Sequence, residues 1–71
     1  MSNFKTRLLE EKAQLDERLA KLQTFQISDE YSKIPIVQQS LLSVQSQAMA
    51  TYSQAIAERL SWMHEVGGSQ A

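Results

Sequence analysis

Cysteine is absent from this chain of 71 residues, which excludes disulfides and thiolate-held metal centres. His64 is the only histidine, so no zinc-type cluster can be assembled, and neither a metal nor a cofactor is expected. Glycine-rich phosphate loops are missing too, as is any Ser/His/Asp or Cys/His arrangement beyond His64 and scattered serines. These absences argue against an enzyme. No apolar run approaches the roughly 20 residues that cross a bilayer. The start, Met1 to Lys5, has no signal-peptide apolar region. A soluble, cytosolic protein is expected. The net charge of −1 leaves too little positive surface for duplex nucleic acid. It leaves room for a small anion, which two or three well-placed cations can satisfy.

Glycine occurs only at Gly67 and Gly68, and Pro35 is the single proline. Two long stretches therefore contain no strong helix breaker. In the first, from about 2 to 26, Phe4, Leu8, Leu15, Leu19 and Leu22 share one stripe at about 100° per residue. Ser2 or Asn3 can cap its start. The outer face carries Glu10, Gln14, Glu17 and Lys21, with Glu17 and Lys21 in the favourable i,i+4 order.

The stretch "ISDEYSKIP", residues 27 to 35, breaks the pattern. Ser28 and Asp29 favour turns through side-chain bonds to nearby backbone. Ile34 precedes proline and is pushed out of the helical region, whereas Pro35 suits a first helical turn. The second helix is expected from about 35 to 65, stopped by Gly67-Gly68 and followed by a frayed tail at 67–71. A short link at 27–34 between two long helices implies one domain over 1–66, all-α, an antiparallel two-helix hairpin.

That hairpin is too apolar to stand alone. A core this small supplies only about 3–5 kcal/mol, and without disulfides or metal the remaining remedy is self-association. On the second helix Val37, Leu41, Val44, Ala48, Tyr52 and Ala55 form one stripe. Leu42, Met49, Ile56, Leu60 and Met63 form another beside it. Together they exceed the width that one neighbouring helix covers. We expect one stripe to serve the hairpin and the other, that of Leu42 and Met49, to serve copies of the chain. A kinked hairpin or a different partner is the alternative. The small residues Ser40, Ser43, Ala48, Ala50, Ser53 and Ala55 permit close helix approach.

Arg59 falls within this wide face, with Gln45 and Gln38 along the same region. It can snorkel out with only its stem buried. It can also be gathered by symmetry into a cluster that needs an anion, and guanidinium matches phosphate through paired hydrogen bonds. On the first helix, Arg7, Glu11, Arg18 and Phe25 edge the apolar stripe. A local Arg7–Glu11 ion pair is the simple reading. The sharper one sets Phe4 beside Arg7, Arg18 or Lys21 as an aromatic and cationic surface suited to a nucleobase next to a phosphate.

The segments "FKTRLLEEKAQLDERLAKLQTF" and "LLSVQSQAMATYSQAIAERL", joined by a short acidic loop with Tyr31, resemble the phage helical-hairpin family of anti-CBASS and anti-Thoeris sponges. The frame runs through Arg7-Leu8, Glu11, Leu15, Arg18-Leu19, Lys21-Leu22 and Phe25. It continues through Leu41-Leu42, Gln45, Met49, Tyr52 and Arg59-Leu60, spanning about Phe4 to Leu60. Two positions depart from it: Val44 replaces a basic residue before the glutamine, and Phe4 lacks a tyrosine hydroxyl. The resemblance implies a protein that binds cyclic oligonucleotide signals of bacterial immunity without cleaving them, in the cytoplasm of the infected host. It implies a homohexamer with two kinds of site. One, between hairpins, takes cyclic dinucleotides, with Phe4, Arg7, Arg18 and Lys21 as its residues here. The other, on three-fold axes, takes cyclic trinucleotides and is assigned Arg59 and Gln45.

The rival reading is a structural or protein-binding helical oligomer, a phage accessory protein docking a host factor through its small-residue face. Trp62 and His64 read as packing or surface residues in either case.

Overall fold

The computed structural model describes residues 4–63. All the regular structure in them is helical: α1 Phe4–Gln26, α2 Asp29–Lys33 and α3 Ile36–Trp62. The caps expected at Ser2 or Asn3, His64, the stop at Gly67-Gly68 and the tail 67–71 lie outside the described residues. No described helix is long and apolar enough to cross a membrane.

Helices α1 and α3 pack lengthwise into a hairpin. Its extents of 53 × 17 × 14 Å make a rod. Two helices side by side enclose little, and among the described residues the buried apolar set is Leu8, Leu15 and Ile56, with Met49, Leu60 and Met63 packed against it. Leu19 and Leu22 are half-buried, so the first helix follows its expected stripe except at Phe4, which is 57% exposed.

The turn is more ordered than the sequence suggests. Asp29–Lys33 winds into a short helix of its own, with Asp29 and Glu30 in its first turn and Lys33 in its last. That placement suits the helix dipole at both ends. The Ser28 hydroxyl donates to the Phe25 carbonyl at 2.6 Å. Tyr31 meets Phe25 edge-to-face at 5.9 Å, and its hydroxyl donates to the Gln39 carbonyl at 2.7 Å. Ile34 is extended, as a residue before proline must be, at φ −84° and ψ 160°. Pro35 caps α3 rather than opening it, with ψ 145°.

The two stripes of α3 divide, and not as expected. The Leu42, Met49, Ile56, Leu60 and Met63 stripe faces α1: Ile56 is 1% exposed, Met49, Leu60 and Met63 pack on the core, and Leu42 is half-buried. The stripe left open is that of Val37, Leu41, Val44, Ala48, Tyr52 and Ala55, all exposed. Trp62, 67% exposed, extends the same line. The physical reason lies in α1, which places a polar group opposite the small residue of the inner face. Buried Ser53 donates to Asp16, which also accepts from Lys12 at 2.7 Å. A serine there lets the helices close and supplies the partner that a carboxylate at a helix interface needs.

Candidate functional site

An antiparallel hairpin brings the start of α1 beside the end of α3, and at this open end the chemistry collects. Phe4, Arg7, Leu8, Glu11 and Arg59 line an open pocket of about 300 Å³. Helical spacing sets Phe4, Arg7, Leu8 and Glu11 on adjoining turns of one face of α1. Leu8 anchors that face by being buried. Arg59 stands in the last turn of α3, where the exposed carbonyls favour a cation. Its guanidinium carbon lies 5.7 Å from the centre of the Phe4 ring.

Arg59 is thus not aimed at the core. It is exposed, and the ring of Phe4 gives its flat, weakly hydrated face a partner. Two guanidinium groups against one carboxylate leave the pocket net positive. The simple Arg7–Glu11 ion pair does not form, and among the described residues the ion pairs are Lys12–Asp16 and Lys21–Glu17.

The other expected site residues lie elsewhere on the hairpin. Arg18 is about 16 Å along α1 from Arg7, and Lys21 about 25 Å from Phe4, at 1.5 Å per residue. Lys21 is exposed and reaches Glu17 at 3.6 Å, the outer-face pair expected from the sequence. Gln45 sits about 21 Å along α3 from Arg59, exposed, with its amide 4.0 Å from the Met49 sulfur. One hairpin therefore unites Phe4 and Arg7 with Arg59, residues expected in two different sites.

Sequence reasoning missed the Asp16 cluster. The Lys12–Asp16 spacing was its visible signal. Lys12, and then Ser53, hold the Asp16 carboxyl below its ordinary value of 3.8 by hydrogen bonding to its ionised form. This cluster fastens helices and lies outside the pocket lining. Among the described residues no group of three or more His, Cys, Asp or Glu is placed to hold a metal ion.

Fold and pocket together define a class: an all-helical hairpin presenting an open aromatic and cationic surface at one end. The family model Sequestin matches residues 2–61, and the chain belongs to that family, the phage cyclic-nucleotide sponges to which the anti-CBASS and anti-Thoeris resemblance pointed. No curated protein and no solved structure matches the chain.

Proposed function

We propose that this protein binds cyclic oligonucleotide second messengers of bacterial anti-phage defence and sequesters them uncleaved, in the cytoplasm of the infected host. The observation that carries the reading is the pocket lined by Phe4, Arg7 and Arg59, with the Arg59 guanidinium over the Phe4 ring. An aromatic ring and a guanidinium plane both stack on bases, and the guanidinium groups match phosphate oxygens. Family membership supports a sequestering role rather than a catalytic one.

The volume bears on stoichiometry. A pocket of about 300 Å³ is at the low end for a ligand site. It suits one nucleotide of a cyclic ligand rather than the whole ring. In this reading two or three copies of the chain meet around one ligand, a dinucleotide or a trinucleotide. The open stripe of α3 supplies a reason for copies to associate, since it is broad and apolar. A homohexamer with Arg59 and Gln45 at three-fold axes satisfies both. So does completion of the Phe4 and Arg7 site by Arg18 and Lys21 of a neighbouring copy.

Native mass spectrometry of the purified protein with and without cyclic dinucleotides and trinucleotides tests this. The expected result is an assembly that gains whole ligands and releases them chemically intact on heating. A blank across a panel of such ligands would leave the open stripe as a docking face for a host protein and end the sponge reading. Hydrolysed ligand would make the protein an enzyme.

A further inference from the structure

Glu11 is the one feature of the pocket that phosphate binding does not explain. It lines the cavity with two arginines, yet among the described residues it pairs with neither. A carboxylate beside a site for an anionic ligand repels that ligand, and glutamine in its place would hold the same helix at lower cost. The carboxylate is accounted for if it meets a part of the ligand that only donates.

We infer that Glu11 reads the base: it accepts hydrogen bonds from the edge of a guanine and makes the pocket selective for guanine-bearing cyclic nucleotides. The inference rests on the reading of this pocket as a cyclic-nucleotide site. Arg7 and Arg59 take the phosphate and Phe4 offers the base the ring face that Arg59 does not cover, which leaves Glu11 the edge. Guanine offers an N1–H and an amino N–H side by side, and an ionised carboxylate accepts through both oxygens and donates nothing. The pair is bidentate and charge-assisted. Adenine sets its amino donor next to a ring-nitrogen lone pair, which a carboxylate oxygen repels. A glutamine inverts the preference, because its amide offers one acceptor and one donor, the pattern adenine complements.

The test compares cyclic di-GMP with cyclic di-AMP, equal in charge and ring size, on the wild type and on Glu11→Gln by calorimetry. Glu11 is exposed, so the variant folds. The wild type is expected to prefer cyclic di-GMP by about five- to tenfold, the low end for a bidentate base contact. Glu11→Gln is expected to lose or reverse that preference. A variant that tightens both ligands equally would make Glu11 a charge balance for the arginines and overturn the inference alone. A wild type that binds both equally would do the same. A wild type that binds neither these ligands nor any cyclic trinucleotide would overturn the sponge reading with it.

Discussion

The Arg59 guanidinium carbon lies 5.7 Å from the centre of the Phe4 ring, so the last turn of one long helix is fastened to the first turn of the other. This contact ties the two helices at the open end of the hairpin, and both side chains line the pocket. Exposed cation–π pairs are worth about 0.5–1 kcal/mol, enough to position two side chains and too little to hold the fold.

Arg59→Ala separates these two roles. Without ligand, the variant is expected to melt lower by only about 2–8 °C, given the cation–π magnitude and the size of the chain. Cyclic trinucleotide is expected to stabilise the wild type by RT ln(1 + [L]/Kd). It should leave the variant unmoved. A thermal-shift series on both proteins checks this, and a variant that still responds fully to ligand would take Arg59 out of the site.

The distal cations give a prediction about neighbours. Lys21→Ala removes an exposed ammonium engaged only with Glu17 at its own surface, so the melting point of the free protein should hardly change. Cyclic dinucleotide affinity should fall about ten- to a hundredfold, as for a lost charge-assisted hydrogen bond. Unchanged affinity in calorimetry would confine the site to the pocket of one protomer.

The two faces of α3 should respond differently to the same insult. Leu41→Glu or Val44→Glu places a charge on the open stripe and is expected to split the proposed oligomer into hairpins that stay fully helical. Ile56→Ala opens a cavity in the hairpin itself, at about 2–5 kcal/mol, a large share of what so small a core provides. Native mass and circular dichroism read the two outcomes separately. A Leu41→Glu protein with its full native mass would show that copies meet elsewhere.

Asp16 makes stability depend on acid. Lys12 and Ser53 hold its folded carboxyl below the 3.8 of the free group. Its contribution is therefore fully present above about that value. It is lost as pH falls further, through the folded pKa. Melting temperature followed down from pH 5 should drop more steeply in the wild type than in Asp16→Asn. Parallel curves would show that Lys12 and Ser53 do not favour the ionised Asp16 carboxyl in solution.

Much of this protein is written in local pattern. Leucine spacing, the lack of glycine and proline before residue 35, and Ser28, Asp29 and Pro35 at the break determine two long helices and the place where they part. The same spacing sets Phe4, Arg7 and Glu11 on one face, because positions three and four apart on a helix are neighbours whatever the helix packs against. Pattern also carries the family, through residues 2–61. It cannot choose between two adjacent apolar stripes on α3, since periodicity fixes the angle between side chains and not which of them a partner helix covers. That choice was made by the register across the hairpin, where Ser53 meets Asp16 and Tyr31 ties the α2 turn to Gln39. The register turned Ile56 and Met49 inward and left Leu41 and Val44 open. It also brought Arg59 over Phe4, residues far apart in the chain that only the packing of one helix against the other could join.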